Sequence, residues 1–402
     1  MEDKILNRNL RYLVLVMLAM VFLPYIGGYI YVHGTFPEGY FQFPPITAKQ
    51  KPSFSPIVFC AGALLMAGFI TFYLFPRVFG FRKVDVPFSG ISEGGRSVRL
   101  PWWFWVGNLL WGVTLFVLWG HFPGPAPIIH WAALFLFWGF SLMVDGIVYK
   151  RTGGVSLLTS APRELIGIGT ASISGWLLFE FLNFFVDDNW CYPFGGQMPL
   201  SEFVMYAVIA SSGLMPMALE WYSFFNVFPK LRYRFSFGPK IVFSKTLKIV
   251  LLVLSLTVMF LIPFFPMVMF PALWVAPMVI LACMLSLLQR WTPFTGIRDG
   301  NWGPLALSAL SYGVQGILCE CWNYFSGIHN PDGSITTHNP DYWTYSIPYI
   351  DKYHVFEMPL LGLMGYLPFG VYCAVWWIAF AYLLNIPTQF FDDGSEPLPT
   401  TK

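Results

Sequence analysis

The chain has 402 residues, of which 56% are hydrophobic, 19% aromatic and only 11% charged, against about 25% charged in ordinary soluble proteins; this excludes a water-soluble globular enzyme. A net charge of +2, from 23 Lys and Arg against 21 Asp and Glu, leaves no basic excess to neutralise a nucleic acid backbone and excludes nucleic acid as a partner. The partner that the composition implies is a lipid bilayer, and the fold class it predicts is all-α, a polytopic transmembrane helical bundle.

A membrane helix needs roughly 20 mostly apolar residues. Ten stretches qualify in chain order, at about 12–32, 55–75, 102–120, 127–148, 164–186, 201–226, 247–267, 270–289, 302–325 and 357–384. Placing the N-terminus in the cytoplasm leaves only Lys49, Lys51 and Lys352 outside, with the other Lys and Arg residues inside. That is the asymmetry of the positive-inside rule, and an odd error in the span count would reverse the later loops and destroy it. Ten spans, both termini cytoplasmic and location in the cell inner (plasma) membrane are therefore expected.

The first span follows Lys4, Arg8 and Arg11 and reads as an uncleaved signal anchor. Trp102, Trp103 and Trp105, and later Trp376 and Trp377, suit interfacial or lipid-facing positions. Between 247 and 289, Pro263, Pro266, Pro271 and Pro277 could divide one hairpin into re-entrant pieces, although the flanking charges require an even number of crossings. The chain thus divides into an N-terminal four-helix membrane region (1–150), a first hairpin (151–245), a Pro-rich connecting hairpin (246–300), a second hairpin (301–385) and a polar cytoplasmic tail (386–402) expected to be disordered.

Six cysteines form no CxxC and no box of metal-ligand spacing, and no pair of the six histidines falls on facing helices at membrane depth as a bis-His haem would need. No metal site and no cofactor is predicted. The phosphate-binding loop, the nucleophile elbow of α/β-hydrolases and H-E-x-x-H are all absent.

The informative feature is an internal repeat. Residues 175–185 read GWLLFEFLNFF and 315–325 read QGILCECWNYF, which at an offset of 140 match at Leu178/Leu318, Glu180/Glu320, Asn183/Asn323 and Phe185/Phe325. Trp190 and Tyr192 have counterparts in Trp343 and Tyr345, and Glu202 and Glu357 then open the returning helix of each hairpin, about 164–226 and 302–384. Both hairpins enter from the same side, so they read as parallel repeats.

Glu and Asn three apart share one helix face, and both pairs fall in the outer half of their spans. A carboxylate near the bilayer centre costs roughly 2.5–3.5 kcal/mol and should face the bundle interior or a wet cavity. Glu180, Asn183, Glu320 and Asn323 are accordingly the candidate catalytic residues, and Glu202, Glu357, Trp190, Tyr192, Trp343 and Tyr345 the candidate pocket. Carboxyls grouped without intramembrane Lys or Arg suit acid chemistry, proton relay or cation binding. Two other readings stay open: Glu-x-x-Asn as a hydrogen-bonding device between packed helices, and the aromatic residues as interfacial anchors.

Elsewhere, Asp145, Lys150 and Arg151 are expected in a cytoplasmic loop where Ser160 caps the fifth span and Pro162 begins it. Glu220 is expected to face the basic loop that begins at Lys230. The six basic residues from 230 to 248, interleaved with Tyr233, Phe235 and Phe237, should lie on the anionic inner leaflet. The outer loop 33–54 is rich in Pro and aromatics and should order against the bundle.

The segment NWCYPF followed by PLSEF resembles the Trp-containing loop and the Pro-Leu-Glu-Glu motif of the membrane lycopene cyclase domains, over about 30 residues in each hairpin. Ser201 stands where that family has the first Glu of its pair, and the second hairpin reads Glu357-Met358-Pro359. The remaining chain resembles bacterial polytopic membrane proteins. The resemblance implies a paired bundle that binds an isoprenoid and acts on it by acid catalysis. Three functions are therefore carried forward: binding of or acid–base chemistry on an apolar isoprenoid or lipid, with the glutamates as proton donors or cation stabilisers; a proton-coupled transporter; and a non-catalytic subunit with partner membrane subunits.

Overall fold

The computed structural model describes residues 2–49, 54–83 and 98–388. Lys51, Arg96 and the tail from 389 onward lie outside the described residues. The main helices are α1 (Glu2–Tyr31), α2 (Pro56–Leu74), α3 (Trp102–Trp119), α4 (Ala132–Thr152), α5 (Pro162–Asn183), α6 (Leu200–Ala210), α7 (Leu214–Asn226), α8 (Lys245–Leu261), α9 (Pro266–Leu287), α10 (Gly303–Tyr324) and α11 (Tyr366–Leu384). The protein is an all-α polytopic bundle, and among the described residues nine segments are long and apolar enough to cross a membrane. The tenth expected span, 302–325, is the 22-residue α10, which is not apolar enough to join that set. Buried polar side chains on it, Ser308, Ser311, Gln315, Glu320 and Asn323, account for its lower hydropathy.

Helices approach closely where small residues meet. Gly107 on α3 and Gly139 on α4 face each other's backbone, and a Cβ on Gly107 would lie 2.5 Å from the Gly139 carbonyl oxygen. The centre of the bundle is α5 against α11, where Phe179, Tyr372 and Trp377 are fully buried. By contrast, α2 contributes no buried residue.

The loops leaving α1, α5 and α10 gather at one end of the bundle. They carry three short antiparallel ladders: β1 (Trp190–Cys191) with β4 (Thr344–Tyr345), β2 (Ile328–His329) with β3 (Ile335–Thr336), and β5 (His354–Val355) with β6 (Met358–Pro359). Segment 33–49 packs against this end: Phe41 meets Phe184 edge-on, Tyr192 N donates to the Pro45 carbonyl, and Lys49 pairs with Asp188 at 3.3 Å.

Several sequence expectations are corrected. Trp376 and Trp377 are buried, not lipid-facing, because their indole N–H groups donate to the Ala171 carbonyl and to Glu164 on α5. Phe235, expected with the basic loop on the inner leaflet, is fully buried against Phe81 in a small second core. Asp145 is inside α4, not in a loop, and accepts from Trp103 Nε1, Ser156 Oγ and the Leu158 N–H, each at 2.9 Å. Glu220 is buried beside it and faces no basic loop. Ser156, not Ser160, forms the capping box of the turn before α5; Ala161 precedes Pro162 at the start of α5 itself. The prolines between 263 and 277 leave two full helices: Pro263 lies in the connecting turn, Pro266 begins α9, and Pro271 and Pro277 are accommodated inside it.

Candidate functional site

Glu180 and Asn183 lie one turn apart at the end of α5, which passes through a 3-10 turn over 184–186 and then reverses at Asp187 and Asp188. Both aspartates have positive φ, +58° and +55°, a conformation that short polar side chains tolerate better than most. The reversal brings Trp190 back over the helix end. Asn183 Nδ2 donates to the Trp190 carbonyl at 2.9 Å, Trp190 Nε1 donates to the Glu180 carboxylate at 3.3–3.4 Å, and Tyr192 Oη donates to Glu180 Oε1 at 2.6 Å. The spacing explains the set: Asn fixes the returning backbone at the Trp, and that Trp and the Tyr two residues on, which share one face of an extended segment, reach the Glu one turn below.

The second hairpin makes the same three bonds. Asn323 Nδ2 donates to the Trp343 carbonyl at 2.8 Å, Trp343 Nε1 to Glu320 at 3.3 Å, and Tyr345 Oη to Glu320 Oε1 at 2.7 Å. Two bonds have no counterpart in the first hairpin: Asn323 Oδ1 accepts from the Trp343 N–H at 3.0 Å, and Glu320 Oε1 accepts from Tyr366 Oη. The two loops meet directly, since Trp190 pairs with Tyr345 and Cys191 with Thr344 in the β1–β4 ladder.

Beneath that ladder is a cavity of about 100 Å³. Glu180, Trp190 and Tyr192 line it from the first hairpin, and Trp343, Tyr345 and Tyr366 from the second. Glu320 does not line it; it is fully buried behind Tyr345 and Tyr366, and its Oε2 has no hydrogen-bond partner. Asn183 and Asn323 likewise act through backbone and do not reach the cavity.

The structure does not bring the other two candidate carboxylates into this cavity. Glu202 stands in the first turn of α6, as expected, but turns toward His130 at 3.1 Å. Glu357 opens no helix: it sits in the turn between β5 and β6, ahead of a 3-10 segment and α11, and bonds to His329 at 2.8 Å and to Tyr342. Four carboxylates therefore do not converge.

Several lining residues escaped the sequence reading. Trp176 on α5, Trp274 on α9, Tyr312 on α10 and Phe369 on α11 close the apolar wall, and Tyr206 on α6 donates a hydrogen bond to Asp341, which also faces the cavity. The four wall aromatics carry no local signal, because an apolar helix buries or exposes such residues with equal ease. Asp341 did carry one: both loops read D-x-W-x-Y, at Asp188-Asn189-Trp190-Cys191-Tyr192 and Asp341-Tyr342-Trp343-Thr344-Tyr345.

The two aspartates end in different environments. Burial pushes the Asp188 carboxyl up to about 6 against the opposing attraction of Lys49. Burial pushes Asp341 up to about 7, opposed by the Tyr206 hydrogen bond and reinforced by the nearby Glu180 carboxylate. The Tyr192 phenol is raised by burial and by Glu180. No Lys, Arg or His lines the cavity, so its charged groups are both acids. Chemically this is an aromatic chamber with two oriented carboxyls. The described residues contain no group of three or more His, Cys, Asp or Glu side chains disposed to hold a metal ion.

No family model, no curated protein and no solved structure matches the chain.

Proposed function

We propose that the cavity binds the end of an apolar isoprenoid or lipid and that Glu180 serves there as proton donor or cation stabiliser. The observation that carries this reading is the placement of a buried carboxyl, aligned by Tyr192 at 2.6 Å, in the wall of an otherwise aromatic chamber. A proton donor works when it is held within reach of the reacting atom, and aromatic faces stabilise a cation that forms beside them. A chamber of about 100 Å³ accommodates a terminal group and not a whole chain. The remainder of a long ligand would then lie along the apolar helices. On this reading Asn183 and Asn323 position the loops, and Glu320 holds Tyr345 and Tyr366 against the chamber.

The two hairpins share three hydrogen bonds, and the Trp190–Tyr345 register is what a two-fold relation between their loops produces, which supports a duplication. The resemblance to lycopene cyclase loops points the same way, to acid chemistry on an isoprenoid. The charge asymmetry of the sequence supports an inner-membrane location with cytoplasmic termini and the chamber toward the outer leaflet.

The test is gentle purification followed by extraction and mass spectrometry. A stoichiometric isoprenoid, quinone or lipid is expected, with its retention or conversion lost in Glu180→Gln and Glu320→Gln while both variants still insert and fold. Companion subunits with no bound small molecule, or unchanged conversion in both variants, would overturn the reading.

One observation favours proton-coupled transport as a second reading. The span 200–226 is interrupted by a 3-10 turn over Ser211–Gly213, and Ser211 at that break lines the chamber. Interrupted helices often mark transport sites. Absence of any pH-dependent flux in liposomes would remove it.

A further inference from the structure

We propose that the ligand group entering the chamber is positively charged, an ammonium ion carried on apolar substituents such as a quaternary or tertiary amine. The inference rests on the chamber being the ligand site and adds the sign of the ligand's charge.

Three observations lead to it. First, Glu180 and Asp341 are the charged residues of the wall and both are acids, with no Lys, Arg or His among the lining residues. When either carboxyl ionises in this poorly solvated space the wall offers it no counter-charge, which a cationic guest supplies and a neutral one does not. Second, each acid accepts from a phenol, Glu180 from Tyr192 and Asp341 from Tyr206. Such donors favour the ionised carboxylate, the form that a cation requires. Third, aromatic rings cluster in the wall: Trp176 to Trp190 at 6.1 Å, Trp190 to Trp274 at 5.6 Å, and Trp274 to Phe369 at 5.9 Å between ring centroids. Indole is the strongest side-chain partner for an organic cation, and cages of such rings select alkylated ammonium groups. The volume, about 100 Å³, suits a group of a few heavy atoms.

The arrangement makes affinity depend on pH. Asp341 faces Glu180 on α5, Tyr192 in the loop after it and Tyr206 on α6. Burial holds its carboxyl near 7, so a permanent cation that prefers the carboxylate displaces a proton on binding. Affinity should rise as pH increases through about 7 and level off above it.

The free small cation and the lipid headgroup share this chemistry, and separate probes distinguish them. Binding to the purified full chain would be followed by tryptophan fluorescence, with tetramethylammonium and choline against 3,3-dimethylbutanol, the uncharged isostere of choline. Tighter binding of the cations by about tenfold or more is expected. Asp341→Asn should weaken the pH dependence, leaving only the part that Glu180 contributes, and Tyr206→Phe should move the midpoint upward by about a pH unit. Stearylamine in mixed micelles that competes with tetramethylammonium would identify a membrane lipid as the source; tetramethylammonium binding without such competition would identify a small free cation. Equal binding of 3,3-dimethylbutanol, or no pH dependence in the wild type, would overturn the proposal. Retention of a neutral isoprenoid together with failure of every ammonium probe would overturn it while leaving the chamber as a ligand site, and failure of both would overturn both readings.

Discussion

Trp190 pairs with Tyr345 across a two-residue antiparallel ladder, and each of the two side chains is hydrogen-bonded to the glutamate of its own hairpin. The two buried glutamates are thus linked through a loop–loop contact above the chamber, so displacement of one loop alters the geometry at both.

The asparagines hold that contact. Asn183→Ala removes the donor to the Trp190 carbonyl, and Asn323→Ala removes both the donor to the Trp343 carbonyl and the acceptor for its N–H. An orphaned buried polar group costs about 1–3 kcal/mol. Asn323→Ala should therefore lower the thermal midpoint in detergent more than Asn183→Ala; equal midpoints in both variants and wild type would contradict this account.

Asp341 imposes a pH-dependent penalty. Its folded-state carboxyl is held near 7 against an ordinary 3.8, so the folded state binds the extra proton between those values. Its contribution is neutral below about 3.8, becomes destabilising as pH rises, and is fully unfavourable above about 7. The stability difference between Asp341→Asn and wild type should shift in favour of the variant from pH 4 to pH 8, as read by thermal midpoints across that range.

Lys49 offsets the corresponding cost at Asp188. The pair is 3.3 Å apart, and Lys49 opposes the burial that raises Asp188 to about 6. Lys49→Met should lower the midpoint more at pH 8 than at pH 5, where Asp188 is largely protonated in either protein and the chief loss is the Lys49 Nζ bond to the Phe184 carbonyl at 3.0 Å. An equal loss at both pH values would assign the role of Lys49 to its contacts with the Phe184 carbonyl and the Tyr40 ring and not to Asp188.

Glu202 and Glu357 serve as internal controls. Each has a histidine partner outside the chamber, His130 and His329 respectively. Glu202→Gln and Glu357→Gln should leave retention of any co-purified small molecule within about twofold of wild type, since neither carboxylate lines the chamber.

The α3–α4 contact depends on the absence of a side chain. Gly107→Ala places a methyl 2.5 Å from the Gly139 carbonyl oxygen and 2.9 Å from the Met143 nitrogen, both backbone atoms that cannot swing aside. Overpacking of this type costs about 1–3 kcal/mol. A lowered midpoint with unchanged helix content by circular dichroism is the expected result.

The membrane class, the positions of the long helices and the shared face of each Glu-x-x-Asn pair were determined by the sequence alone. Spans follow from the summed hydropathy of some 20 residues, and one-turn spacing follows from helix geometry, so neither needs knowledge of neighbours. Which apolar face meets lipid and which meets protein was decided only by the tertiary structure. Hydrocarbon and protein interior are almost equally apolar, so Trp377 inside and Trp102 outside look alike in sequence. The same limit applies to the site. Asp188 and Asp341 occupy the same place in D-x-W-x-Y, and only packing gave one a lysine and the other a tyrosine at the wall of a chamber.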